Sequence, residues 1–130
     1  MPRIKLASLY VADQEQALQF YTRRLGFIVR TDEQFGESRW LSVVSDEDLD
    51  GAELLLEPTE NSAARRLQRS LYSHEIPATM LIVDDLDYEY ERLLDLGVSF
   101  AGEPFESGPS RSVLLDDTCG NWIQLSEGHS

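Results

Sequence analysis

The chain contains few side chains that could catalyse a reaction, and the best placed are two glutamates in one predicted strand. Glu53 and Glu57 lie four residues apart. Alternate side chains of a strand point to the same face, so both carboxylates share one face. Such a pair could act as general acid and general base, or could bind a divalent metal ion together with His74. The simpler interpretation is that both face water near the rim of a sheet, because an unpaired glutamate is seldom buried.

The other candidate for covalent or redox chemistry is Cys119, the only cysteine. It has no basic neighbour in sequence that would lower its pKa, which favours an unreactive thiol over a nucleophile. A single cysteine also cannot form an internal disulfide, as is usual for a protein of a reducing compartment. We therefore assign no catalytic residue and expect a cytoplasmic protein.

Composition excludes two classes of partner. The 130 residues include 24 acidic and 11 basic side chains, giving a net charge of −13. So acidic a surface repels phosphate backbones and anionic lipid, which argues against nucleic-acid and membrane partners. No stretch approaches the roughly 18 consecutive apolar residues of a membrane-spanning helix. The chain length is that of one domain with a substantial core.

The elements that must position these side chains occur twice. Asp13 and Asp85 each open a predicted helix, and their numbers differ by 72. Gly26 and Gly97 each end one, and their numbers differ by 71. Such a repeat indicates two copies of one supersecondary unit. Each copy predicts the order β-α-β-β-β, with strands over 4–11, 27–31, 39–44 and 53–57, and over 78–83, 98–101, 112–115 and 122–125.

The repeat divides one predicted domain, residues 1–130, into three parts. Module one covers about 4–57 and module two about 77–126. Between them, 61–72 predicts a linker helix, because apolar residues recur at helical spacing. Half-length units seldom bury enough surface to be stable alone, so the two modules are expected to form one domain.

The chain resembles the vicinal oxygen chelate superfamily, which includes glyoxalase I, the extradiol dioxygenases, and the fosfomycin and bleomycin resistance proteins. The resemblance spans about residues 4–126. It rests on short motifs in a fixed order: Val11-x-Asp13, Ala17-Leu18-x-Phe20-Tyr21, Leu25-Gly26-Phe27, Val83-Asp84-Asp85-Leu86 and Asp116-Asp117-x-x-Gly120-Asn121-x-Ile123-x-Leu125.

The resemblance implies an α+β fold in which two tandem βαβββ modules form a curled mixed sheet with a central cleft and helices on the convex face. Members are commonly homodimers, so we expect one here. Whether the modules pair within a chain or across a dimer stays open.

The family's metal ligands are implied at four positions of this chain. Enzymes of the family bind a divalent metal through inward-facing His, Gln or Glu side chains on the first and last strand of each module. Counting from the motifs, the positions hold Leu6, Leu55, Ala78 and Gln124. Three of these side chains have no donor atom, and one neutral amide cannot bind a metal by itself. We therefore predict neither a metal site nor a cofactor.

Strand alternation predicts what lines the cleft instead. The inward positions are mainly apolar and aromatic with a few polar groups, a composition typical of small-molecule pockets. A carboxylate there would favour a cationic ligand. Trp40 and Trp122 could equally fill the core, since aromatic side chains are often buried. The predicted ligand-binding residues are Ser8, Tyr10, Trp40, Glu53, Leu55, Met80, Trp122 and Gln124.

These observations favour a metal-independent protein that binds or sequesters a hydrophobic or cationic small molecule, in the manner of a resistance protein. Two alternatives remain. One is a glyoxalase-like lyase or isomerase, or a dioxygenase-related enzyme, with displaced metal ligands or with Glu53 and Glu57 as an acid/base pair. The other is a non-catalytic domain that only dimerises.

Overall fold

The computed structural model describes residues 1–128; His129 and Ser130 lie outside the described residues. Each half contains four strands and one helix, and a further helix lies between the halves. In module one these are β1 (Leu6–Val11), α1 (Gln14–Arg23), β2 (Ile28–Phe35), β3 (Ser38–Val44) and β4 (Glu53–Pro58). The intervening helix is α2 (Ser62–Ser73). Module two contains β5 (Thr79–Val83), α3 (Leu86–Asp95), β6 (Phe105–Ser107), β7 (Ser110–Asp116) and β8 (Trp122–Glu127).

The strands form two four-stranded mixed sheets of identical topology, with the orders β1-β4-β3-β2 and β5-β8-β7-β6. In each sheet the first strand of the module pairs in parallel with the last, and the other pairs are antiparallel. The predicted α+β fold with two βαβββ modules is confirmed. No strand pairing joins the two sheets within residues 1–128, so the expected central cleft is not closed in a single chain.

The repeated helices begin and end at the predicted residues. The Asp13 carboxylate accepts the backbone N–H of Gln16 at 3.1 Å, and Asp85 accepts that of Tyr88 at 3.1 Å. These bonds satisfy N–H groups that a helix start leaves free. Gly26 and Gly97 follow the helices at φ +83° and +85°, a backbone conformation that glycine adopts without strain.

One face of each sheet packs against the helices and forms the core. Leu41 and Val43 of β3 and Val113 and Leu115 of β7 are fully buried there, in one cluster that includes residues of both modules. Because alternate side chains of a strand point to opposite faces, the remaining side chains lie on the other side of each sheet. We call this side the open face of the module.

One prediction about local structure is wrong. Residues 98–101 do not form a strand: Phe100 makes one isolated bridge to Leu115, and the chain then bends before β6 starts at Phe105. Gly102 and Pro104 lie in the bend, where glycine weakens extended structure and proline lacks the N–H that a ladder needs. The helix predicted over 61–72 is α2, in which Ala64 is buried and Leu67 is 55% exposed.

None of the helices within residues 1–128 has the length and apolar composition that crossing a membrane requires.

Candidate functional site

The open face of module one contains four of the predicted ligand-binding residues with accessible side chains. Tyr10 and Trp40 are each 42% exposed, although both are aromatic. Ser8 is exposed and Glu53 is half-buried on the same face. In the β1–β4 ladder, Tyr10 lies directly beside Glu57, so an aromatic ring and a carboxylate are neighbours.

Two side chains in the middle of this face are less accessible than expected. Leu55 is only 5% exposed, flanked by Ser8 on β1 and Ser42 on β3. It therefore offers a ligand little surface. Ser42 is fully buried, and its hydroxyl donates a 2.7 Å hydrogen bond to Oε1 of Glu53. This bond orients the Glu53 carboxylate and satisfies the buried hydroxyl.

The open face of module two is uncharged along its middle and has a network of hydroxyl and amide groups. The Nε2 group of Gln124 donates to the hydroxyls of Ser112 and Ser126, both at 3.1 Å, and these two hydroxyls are 2.7 Å apart. Met80 lies beside Gln124 in the β5–β8 ladder and is 53% exposed. The predicted residues thus lie in two groups, one on each sheet.

Trp122 lies at the start of β8 and is covered by the linker helix. Its ring stacks on that of Tyr72, with centroids 5.1 Å apart and planes inclined by 10°. Its indole N–H donates to the Tyr72 carbonyl at 3.0 Å. The sequence contained no signal for this contact, because Tyr72 and Trp122 are 50 residues apart.

The metal site implied by the family does not fit these residues. Leu6 and Ala78 offer no donor atom, and Leu55 is buried. Gln124, the fourth position, offers a single neutral amide oxygen, and its amide N–H group donates to serine hydroxyls. His74 lies elsewhere, at the C-terminal end of α2, with Nδ1 2.8 Å from the Ser70 carbonyl oxygen. Across residues 1–128, no group of three or more His, Cys, Asp or Glu side chains is arranged to hold a metal ion.

The junction between the modules is built around a buried carboxylate. Asp117 is fully buried in the turn between β7 and β8. Its Oδ2 accepts the hydroxyl of Tyr21 at 2.6 Å and the side-chain amide of Asn121 at 2.9 Å. Its Oδ1 accepts the backbone N–H groups of Cys119 and Asn121 at 2.7 and 3.1 Å. The Tyr21 hydroxyl belongs to module one, so the Asp117 carboxylate joins the two modules through a contact for which the sequence has no local signal.

Burial determines the protonation behaviour of this junction. It raises the pKa of Asp117, although the hydrogen bonds from Tyr21, Asn121 and Cys119 oppose the shift. The pKa of Tyr21 is raised well above its usual value, first by burial and then by the charge of Asp117. Burial also raises the pKa of the Cys119 thiol to about 12, so this cysteine stays protonated at neutral pH, in agreement with the predicted unreactive thiol.

Further bonds hold the same turn against β1 and α2. Ala12 N–H donates to the Cys119 carbonyl at 2.9 Å, and the Asn121 amide donates to the Tyr10 carbonyl at 2.8 Å. The Gln68 side chain of α2 reaches the Tyr10 carbonyl at 2.9 Å, the Cys119 carbonyl at 3.2 Å and Oδ1 of Asn121 at 3.2 Å. The junction is therefore a hydrogen-bonded unit that includes both modules and the linker helix.

Gly120 tests how tightly this unit is packed. It has φ +97°, and a Cβ added there would lie 2.8 Å from side-chain atoms of Gln68. We expect Gly120→Ala to lower the free energy of unfolding by about 2 kcal/mol, through backbone strain and displacement of Gln68. Gly26→Ala is the matched control, because it has a similar φ of +83° but no atom within 4 Å. Equal losses in the two variants, measured by urea unfolding, would contradict a role for the Gln68 contact.

Two surface grooves lie between the modules, and other residues line them. The larger, about 410 Å³, is lined by the end of β5, α3 and residues 25–27 and 45–47. The smaller, about 310 Å³, is lined by α1, Gly97, Val98 and Thr118. Neither contains any of the eight predicted ligand-binding residues.

The fold and the site define a class: an α+β protein of two βαβββ modules, each with an open sheet face. Three of the four positions implied for metal ligands, Leu6, Leu55 and Ala78, have side chains without a donor atom. The family model for the Glyoxalase/Bleomycin resistance protein/Dioxygenase superfamily matches residues 3–125. The chain belongs to this superfamily.

Relatives and solved structures resemble the chain over almost its full length. YurT of Bacillus subtilis (strain 168), an uncharacterized protein, is 47% identical over 95% of this chain and 97% of its own. The crystal structure of UcmS2 has a TM-score of 0.84 at 29% identity, covering 98% of this chain and 99% of that chain. TnmS3, an antibiotic binding protein from Streptomyces sp. CB03234, has a TM-score of 0.77 at 26% identity, covering 99% and 98%.

Proposed function

We propose that this protein binds a small organic molecule on its open sheet faces without the help of a metal ion. The observation that carries the proposal is the chemistry of the four metal positions. Leu6, Leu55 and Ala78 have no donor atom, and Gln124 offers only one neutral amide oxygen, which is too few ligands for a metal ion. The same faces retain accessible aromatic and apolar side chains, which is the composition of a small-molecule site.

The proposed ligand is hydrophobic or cationic. On module one, the Glu57 carboxylate lies beside Tyr10, and Trp40 is accessible on the same face. Carboxylates and aromatic rings both attract organic cations, the first by charge and the second through the electron-rich ring face. On module two, Met80 and Ile82 provide exposed apolar surface next to the amide and hydroxyl groups of Gln124 and Ser126. The antibiotic-binding character of TnmS3 supports a ligand of drug-like size.

We further propose that two copies form a homodimer in which the open face of module one in one copy meets that of module two in its partner. β1 and β5 are both edge strands, and β5 exposes Met80 and Ile82 by 53% and 62%. Exposed apolar edges tend to pair. The repeat makes the edges at β1 and β5 equivalent. A twofold axis would place β1 of each copy beside β5 of its partner and would so create two identical clefts. Each cleft would then take ligand-binding residues from both copies.

The proposal of metal-independent binding predicts how metal and ligands affect stability. Purified protein is expected to contain no stoichiometric transition metal by elemental analysis, and EDTA is expected to leave its melting temperature unchanged. Aromatic quaternary ammonium compounds are expected to raise it, because a ligand of the native state stabilises that state. Uncharged analogues of the same shape should raise it less if Glu53 and Glu57 attract the cation.

Variants separate a specific site from general stabilisation. Trp40→Ala should reduce the thermal shift caused by the ammonium compounds, whereas Tyr88→Ala, which removes an exposed ring from α3, should not. Stoichiometric bound metal, or glyoxalase-type activity restored by Zn²⁺, Ni²⁺, Mn²⁺ or Fe²⁺, would contradict metal-independent binding and support the enzyme alternative.

A further inference from the structure

The last residues of α2 contact the open face of module two at one end. Asp116 of β7 and Trp122 of β8 are direct cross-strand partners, so their side chains stand next to each other on this face. Tyr72 reaches both: its hydroxyl donates to the Asp116 carboxylate at 2.6 Å, and its ring stacks on Trp122. The Tyr72 ring therefore lies over the end of the face and covers it.

Several bonds keep the ring in this position. The Trp122 indole N–H donates to the Tyr72 carbonyl at 3.0 Å, which ties the end of the helix to the start of β8. One turn earlier in α2, Gln68 bonds to the junction turn. The bond to Asp116 raises the pKa of Tyr72 to about 12, so the hydroxyl stays a donor at neutral pH. The ring is thus fixed at both its backbone and its hydroxyl end.

The internal repeat shows that the fold itself does not need this cover. In module one, β3 and β4 pair Ser42 with Leu55 and Val43 with Leu54. The next two residues along the strands are Val44 and Glu53, at the positions where module two has Asp116 and Trp122. Among the described residues no aromatic ring stacks at that end, and Glu53 accepts the Ser42 hydroxyl instead. At that end of module one Val44 is 3% exposed without a stacked aromatic pair, so the sheet forms there without a counterpart of Tyr72, and the ring of Tyr72 is an addition specific to the second face.

We propose that Tyr72 determines ligand specificity by closing one end of the module-two face, which limits how far a bound molecule can extend along β8. The inference rests on the proposed binding function and names a residue outside the strands that carry the rest of the site. From Trp122 to Ser126 the strand advances about 13 Å, at about 3.3 Å per residue. The face therefore accepts a ligand whose apolar part is no longer than this distance. The Tyr72 ring blocks a longer apolar chain from extending past the start of β8.

A homologous series of n-alkyltrimethylammonium ions measures this limit directly. Calorimetric titration below the micelle concentration of each ion gives affinity as a function of chain length. In the wild type, affinity should rise with each methylene and then level off where the chain meets Tyr72. In Tyr72→Ala the rise should continue to longer chains, with binding about four-fold tighter for each additional buried methylene.

Three further variants make the test specific. Tyr72→Phe keeps the ring and should keep the wild-type limit while losing the bond to Asp116. Tyr88→Ala removes an exposed tyrosine on α3 and should also keep the limit. If Tyr72→Ala does not fold, Tyr72→Leu shortens the side chain while retaining apolar packing, and its limit should lie beyond that of the wild type.

The outcomes distinguish this inference from the function on which it rests. If all variants bind the series with the same chain-length limit, Tyr72 does not close the face, and the inference fails while the binding function stands. If no member of the series binds to the wild type, the proposed affinity for hydrophobic cations fails, and the inference fails with it.

Discussion

Asp117→Ala is expected to lower the free energy of unfolding by about 3–5 kcal/mol, because it removes the acceptor for four hydrogen bonds and leaves buried donors without a partner. Those donors are the Tyr21 hydroxyl, the Asn121 side-chain amide and two backbone N–H groups. A domain of this size is stable by about 5–15 kcal/mol, so the loss is a large fraction of the total. Urea unfolding followed by circular dichroism measures it.

Tyr21→Phe is the matched control for this prediction. It removes a single bond to the same carboxylate and keeps the buried ring, so a loss of about 1–2 kcal/mol is expected. A smaller loss for Asp117→Ala than for Tyr21→Phe would show that the carboxylate is not the centre of the junction.

The raised pKa of Asp117 also gives this carboxylate a characteristic pH dependence. Its ordinary pKa is about 3.9, and burial raises the folded value above that. Between the two values the folded protein binds more protons than the unfolded chain, so the contribution of this group to stability falls as the pH rises and becomes constant above the folded pKa. The amide of Asp117→Asn does not titrate. The difference in free energy of unfolding, wild type minus variant, should therefore decrease as the pH rises from the unfolded to the folded pKa of Asp117. A difference that increases with pH would contradict the raised pKa.

Met80→Glu is expected to convert the proposed homodimer into a monomer. Twofold symmetry would place two copies of the new carboxylate in the interface. Burying an unpaired charge costs several kcal/mol, so the dimer should dissociate at least ~1,000-fold more readily. Analytical ultracentrifugation over a range of protein concentrations measures the dissociation constant.

Leu67→Glu is the control, because Leu67 is similarly exposed but lies on α2, outside β1 and β5. This variant should stay dimeric. A wild-type protein that is monomeric at tens of micromolar, or two variants that dissociate alike, would contradict pairing through the open faces.

Local sequence signals were sufficient to predict those structural elements that depend on one short segment alone. Asp13 and Gly26 mark the ends of α1 because a helix start needs an acceptor and a helix end needs a residue that tolerates positive φ. The 72-residue offset then located the equivalent elements of module two. The strand predicted over 98–101 is absent, because a bend interrupts its pairing with β7. Strand pairing depends on two segments, so the sequence of one segment does not determine it.

The side chains available to a ligand were only partly predictable. Strand alternation placed Leu55 on the open face, but it is only 5% exposed there. The Gln16 side chain, near the start of α1, donates its amide N–H to the Thr118 carbonyl of the other module. Contacts between residues distant in sequence decide both results, and a local pattern does not contain them.

The sequence by itself determined the two-module fold, the family and the chemical nature of the four metal positions, because motif spacing and residue type are local properties. Only the tertiary structure decided which groups meet across the chain. It brought Tyr21 to Asp117, 96 residues apart, and Tyr72 to Trp122, and it kept the two open faces on separate sheets. These arrangements depend on how the modules pack, and packing is settled by burial and hydrogen bonding over the whole molecule.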